Sequence, residues 1–195
     1  SMGFSSIRFG CYWSEVEKSP YEYDWSETDW QVQQAEKYKV NLIIAIGNKV
    51  PRWPECFIPE FLSNKDEKSI DEFLLRFITT VINRYKNSTA IVVWQVENEP
   101  FLPFGDCKKW PSANLLKKEV SIVRSLDTRP IMISESGELS DWIRAGTLSD
   151  MLGISIYRET WTPFLGKIMY PLSPVFYRIK ASLVSFAVPR IILSE

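Results

Sequence analysis

Apolar residues along the chain fall into two alternating patterns. Short, nearly continuous runs of Ile, Val and Leu mark six strand candidates, at Ser6–Tyr12, Asn41–Gly47, Ala90–Val96, Pro130–Ser134, Leu152–Tyr157 and Arg190–Ser194. A run that is apolar at nearly every position, rather than at every second one, suits a parallel strand covered on both faces. Between the runs, apolar residues recur at helical spacing. From Ser69 to Tyr85, residues such as Phe73, Leu74, Phe77, Ile78, Val81 and Ile82 line one helix face, with Ser69 and Glu72 spaced as a capping box. Ser26 and Asp29 are spaced likewise at the head of a helix reaching Tyr38. Further helices are expected over Ser112–Leu126, Glu138–Ala145 and Pro174–Ala187.

Repeated strand-then-helix units leave two main α/β architectures, an open doubly wound sheet or a (β/α)8 TIM barrel. The first normally carries a glycine-rich turn for phosphate. Here there are 8 glycines, with no GxGxxG and no Walker A pattern. The barrel is favoured. A complete one takes ~250 residues, against 195 residues and six strand candidates here. The expectation is a single, partial barrel domain over residues 1–195 that starts on one strand and stops on another. Two open sheet edges would favour self-association without fixing a subunit number.

Composition changes the picture in three ways. Lys and Arg number 23 and Asp and Glu 24, a net charge of −1, so no general electrostatic footprint for nucleic acid or an anionic membrane exists. Histidine is absent, so acid–base chemistry near neutral pH falls to carboxylates, Lys, Tyr or Cys. The three cysteines, Cys11, Cys56 and Cys107, are odd in number and far apart. They read as ordinary thiols of a reducing compartment. No apolar run approaches the ~20 residues of a membrane span, and Ser1–Gly10 lacks the basic-then-apolar pattern of a signal peptide. A cytoplasmic location is favoured, with secretion the alternative if the N-terminus is truncated.

In a barrel, chemistry gathers where strands end. The third candidate strand runs into Glu97-Asn98-Glu99-Pro100 and the last into Glu195. Other ends offer Asn48 and Lys49, Glu135, and Tyr157 with Arg158 and Glu159; the first strand carries Arg8. Two glutamates on separate strand ends can converge across the mouth. At about 5–5.5 Å, one acts as acid/base and the other as nucleophile of retaining glycoside hydrolysis. An arginine between them would keep the nucleophile ionised.

Trp94-Gln95-Val96-Glu97-Asn98-Glu99-Pro100 resembles the Asn-Glu-Pro signature of the large clan of retaining (β/α)8 glycoside hydrolases that includes the cellulase-like and mannanase-like families. Ile7-Arg8-Phe9 with Tyr12-Trp13-Ser14-Glu15 resembles the clan's second strand and the following loop. Leu42–Gly47 running into Pro51-Arg52-Trp53-Pro54 resembles its third strand, and Ile191–Glu195 its seventh. The resemblance implies that Glu99 is the acid/base and Glu195 the nucleophile, with Asn98 on the sugar 2-hydroxyl and Arg8 and Tyr157 on the nucleophile. The first and eighth strands of the clan have no counterpart here. No metal or organic cofactor is implied, and the implied partner is an oligosaccharide, polysaccharide or other β-glycoside.

Several residues carry a plainer reading beside the functional one. Trp13, Trp53 and Trp161, in loops after strands, are candidates to stack on sugar rings, whereas Trp25, Trp30 and Trp142 lie in helical patterns and read as packing. Strand alternation puts Glu97 on the face of Glu99, as a supporting partner or as the acid itself. Glu135, flanked by Ser134 and Ser136, reads as a hydrogen-bonded structural acid and is the reserve candidate for catalysis. Two rival functions stand beside the hydrolase: a carbohydrate-binding or inactive barrel fragment, and a carboxylate-only Mg²⁺ lyase, for which no ligand cluster is visible.

Overall fold

The structure, a computed structural model, describes residues 4–162, 166–188 and 190–194. Its strands are β1 (Ser6–Gly10), β2 (Asn41–Ile46), β3 (Ile91–Asn98), β4 (Ile131–Ser136), β5 (Met151–Ser155), β6 (Glu159–Thr162), β7 (Gly166–Met169) and β8 (Ile191–Leu193). Six of them form one parallel sheet in the order β1-β2-β3-β4-β5-β8. Helices α1 (Trp13–Val16), α2 (Ser26–Tyr38), α3 (Glu67–Tyr85), α4 (Ala113–Leu126), α5 (Ile143–Gly146) and α6 (Pro174–Val184) occupy the connections. This is a partial (β/α)8 barrel, and all six apolar runs are its strands.

The core lies between sheet and helices. Leu42, Ile44, Ile46, Trp94, Val96, Ile131 and Ile133 are buried from the strand side, and Leu74, Phe77, Ile78, Val81 and Ile82 from α3. The α3 residues recur three and four apart, the spacing that places them in one stripe. Asp66, rather than Ser69, caps this helix: its side chain accepts from the Ser69 backbone N–H. The Ser69–Glu72 pattern therefore falls one turn too late. Ser26 does not cap α2 either, because its hydroxyl donates to Asp24 Oδ1 at 2.6 Å. Ser112 does cap α4, accepting from the Leu115 N–H.

Three other expectations are corrected. The helix read over Glu138–Ala145 is one turn, Ile143–Gly146, because residues 137–142 form the bend that lets Trp142 reach the Ser136 carbonyl through Nε1 at 2.8 Å. Trp30 is exposed on α2 and not packed, while Trp25 joins the core. The antiparallel hairpin β6–β7 lies outside the six expected strands and stands apart from the main sheet. Among the described residues no helix is long and apolar enough to cross a membrane.

Cys56 and Cys107 are joined in a disulfide, with Cα atoms 5.2 Å apart, and Cys11 alone is a buried thiol. The reading of three ordinary thiols is wrong because a separation of 51 residues describes the chain and not space. The loops after β2 and β3 lie on neighbouring strands and meet above the sheet.

Candidate active site

The end of β3 is built around an irregularity. Gln95 pairs with Met132 of β4 and Asn98 with Ser134, so three steps on one strand match two on the other. The extra residue makes a bulge, which re-aims the side chains beyond it. Glu97 and Glu99 both take positive φ, 60° and 46°, a conformation that non-glycine residues adopt only when their surroundings enforce it. Two bonds do so: Asn98 N–H donates to the Lys49 carbonyl at 2.6 Å, and Glu99 N–H to the Ser134 carbonyl at 3.0 Å.

The bulge separates the two glutamates. Glu99 lines a cavity of ≈ 410 Å³ whose wall includes Glu55, Asn98, Phe104, Tyr157 and Trp161. Glu97 turns the other way and is fully buried. Its Oε1 accepts from Asn48 N–H and its Oε2 from Lys49 N–H, each at 2.7 Å. Gly47, at φ +133°, sits directly beneath: a Cβ there would lie 2.4 Å from Glu97 Oε1.

Asn98 is held on every side. Its Oδ1 accepts from Ser134 Oγ at 2.7 Å and from Arg8 Nη2 and Gln95 Nε2 at 3.4 Å. Its Nδ2 donates to Glu55 Oε2 at 3.1 Å. Arg8 also donates through Nη1 to the Ser194 carbonyl at 2.9 Å, so one guanidinium joins the ends of β3 and β8. Lys49, with no exposed surface, donates from Nζ to the Glu99 carbonyl at 3.1 Å and lies 3.6 Å from Glu55 Oε2.

Glu55, at the cavity wall, is not singled out by the sequence. It is a lone acid in a proline-rich loop, with no pattern to announce it. Its position is set by a left-handed backbone (φ 77°), by the disulfide at the next residue, and by Gly105. A Cβ on Gly105 would come within 2.6 Å of Glu55 Cβ.

Burial governs three acids packed behind the strand ends. It pushes Glu135 up to about 7, against a hydrogen bond from Ser140 that lowers it, and neighbouring Glu99 raises it further. Burial also raises Glu97, opposed by the Asn48 and Lys49 amides. Glu119 on α4, buried beside Glu97, is driven well above the usual carboxylate range by burial and then by the Glu97 charge.

Residues 1–161 match the family model described as Cellulase (glycosyl hydrolase family 5). The chain belongs to glycosyl hydrolase family 5. It is 27% identical over 113 residues to a probable mannan endo-1,4-beta-mannosidase A of Aspergillus flavus, an alignment covering 53% of this chain and 28% of that protein. The protein of the same name from Aspergillus niger is 26% identical over 120 residues, 56% of this chain and 30% of its own length. The match thus spans about three tenths of these curated relatives. Among solved structures, an exo-beta-1,4-mannosidase from Opitutaceae bacterium strain TAV5 superposes with TM-score 0.71 at 15% identity, over 97% of this chain and 39% of that one. A psychrophilic glycoside hydrolase family 10 endo-beta-1,4-xylanase gives 0.69 at 15% identity, over 98% and 65%. Both likenesses establish the fold.

Within this family 5 chain, the sequence-derived residues fare unequally. Asn98, Glu99, Tyr157 and Trp161 line one cavity, and Arg8 reaches it through Asn98. Trp161 is 71% exposed, on β6 of the hairpin and not in a loop. Trp53 is equally exposed and meets Phe104 of the cavity wall edge to face at 6.3 Å. Trp13 is excluded from any sugar platform: it has no exposed surface, donates from Nε1 to Glu17 Oε2 at 2.8 Å, and stacks on Phe77. Glu97 does not share the face of Glu99, because the bulge breaks the alternation. Ser134 and Ser136 do not serve Glu135; Ser134 bonds Asn98, and Ser136 Oγ accepts from Leu139 N–H. Glu195 lies outside the described residues.

Proposed function

We propose that this chain carries the catalytic centre of a retaining glycoside hydrolase acting on β-linked sugars by double displacement. Glu99 is the acid/base and Glu195 the nucleophile. Asn98 hydrogen-bonds the sugar hydroxyl beside the anomeric centre, Arg8 and Tyr157 orient the nucleophile, and Trp53 and Trp161 offer aromatic faces to sugar rings. Glu195 attacks the anomeric carbon as Glu99 protonates the departing oxygen. Glu99 then takes a proton from the water that releases the sugar from Glu195. The fold is read as one partial barrel domain over residues 1–195.

The observation that carries this reading is Glu99 at the bulged end of β3, facing an aromatic-walled cavity beside an Asn98 fixed by four side chains. Arg8, spanning Asn98 and the Ser194 carbonyl, supports bringing the two strand ends together. The family model bears the name cellulase and the curated relatives are named mannan endo-1,4-beta-mannosidases. We therefore read the substrate as a β-1,4-linked glycan. The disulfide favours an oxidising compartment, and so a secreted protein.

Glu99→Gln is expected to lower turnover of an unactivated β-glycoside by about 10²–10⁴-fold while sparing binding. Undiminished turnover would overturn the assignment. A 2-deoxy-2-fluoro β-glycoside should leave an adduct on Glu195, located by peptide mass. Calorimetric binding of oligosaccharides with no turnover and no adduct would favour the carbohydrate-binding reading.

A further inference from the structure

The acid pair behind the site has a use that double displacement leaves unassigned. Glu119 projects from the face of α4 that packs on the sheet, and it has no exposed surface. No N–H or hydroxyl among the described residues donates to either of its oxygens. The neighbouring carboxylate is that of Glu97, close enough for the two acids to share a proton. Around the pair stand Asp71 on α3, Lys109 ahead of α4, and Lys49. Lys109 is already engaged by Asp71 and the Glu67 carbonyl, and Lys49 points to the Glu99 carbonyl.

Two ionised carboxylates cannot share an apolar interior without a large electrostatic cost. Glu97 has two main-chain donors to stabilise a charge and Glu119 has none, so the proton resides on Glu119. We propose that Glu119 is a positioning residue: as a neutral acid it donates to Glu97, and that bond fixes the carboxylate that grips the Asn48–Lys49 turn. The consequence runs forward through four contacts. Glu97 fixes the Lys49 backbone, Lys49 Nζ braces the Glu99 carbonyl, and Lys49 and Asn98 together hold Glu55 at the cavity wall. Ionisation of Glu119 at high pH would place a second charge against Glu97 and loosen that chain of contacts.

The link to Glu99 rests on the hydrolase reading, so the test has one arm independent of turnover. Infrared difference spectra of native protein minus Glu119→Gln, at about one pH unit above the titration of Glu135, should show a protonated carboxylic-acid carbonyl band in the native chain. Absence of that band overturns the proposal. The second arm uses a β-glycoside with an activated leaving group, which departs without protonation, so loss of the Glu99 proton does not limit its cleavage. Native turnover should fall at alkaline pH, and the Glu119→Gln limb, with an amide that donates at every pH, should lie at least about one unit higher. Superimposable limbs refute positioning. If neither chain cleaves any glycoside, the hydrolase reading fails, and the infrared arm still decides the protonated pair.

Discussion

Replacing Glu135 with glutamine should make the protein less sensitive to alkaline pH. The residue is 1% exposed at the end of β4, and burial raises it from 4.5 to about 7. In the unfolded chain it ionises near its ordinary value, so between these two pH values the folded state binds more protons than the unfolded one. Stability is then highest below the unfolded value and declines as pH rises through the folded one. A shift of this size corresponds to about 3 kcal/mol. Glutamine, neutral throughout, removes the effect while filling the same space. Urea unfolding of both proteins across the range from about pH 4 to pH 8 measures it: the variant should gain about 3 kcal/mol on the native chain toward the alkaline end. In thermal melts that is roughly 6–12 °C for a domain of this size. A stability difference independent of pH would refute the reasoning, because it would mean that Glu135 ionises alike in both states.

Two further outcomes follow from the loops and the tryptophans. Cys56→Ser with Cys107→Ser should lower unfolding free energy by about 4 kcal/mol from loop entropy alone, and should raise KM as Glu55 and Phe104 lose their common anchor; chemical denaturation and kinetics read the two effects separately. Trp161→Ala should raise KM severalfold with melting temperature little changed, whereas Trp13→Ala, which empties a fully buried site, should cost about 3–5 kcal/mol. A KM effect confined to Trp13→Ala would reverse the two roles.

The main sheet was legible because a strand buried on both faces must be apolar at nearly every position, and few other local structures in a chain of this length share that requirement. The hairpin β6–β7 was not, since its four-residue strands sit at the surface and none of their described side chains is fully buried. Asn98 and Glu99 were legible from neighbours in sequence. Glu55 and Glu119 were not, because what makes them notable is the partner across space: Asn98 in one instance, Glu97 in the other. Trp13 misled because its indole N–H, which a loop residue would offer to solvent or ligand, is taken by Glu17 one helical turn on.

The extra residue between Gln95 and Asn98 makes the identity of the site a matter of phase. Glu97, Asn98 and Glu99 are consecutive, and an uninterrupted strand would send the two glutamates to one side and the asparagine to the other. With the bulge in place, Asn98 and Glu99 reach the cavity together and Glu97 is left for the helix layer. Deleting one residue upstream in β3 would leave Glu97, Asn98 and Glu99 in the chain and yet send Asn98 and Glu99 to opposite faces. What a lineage must preserve at this position is therefore a count along the strand, as strictly as the residues themselves.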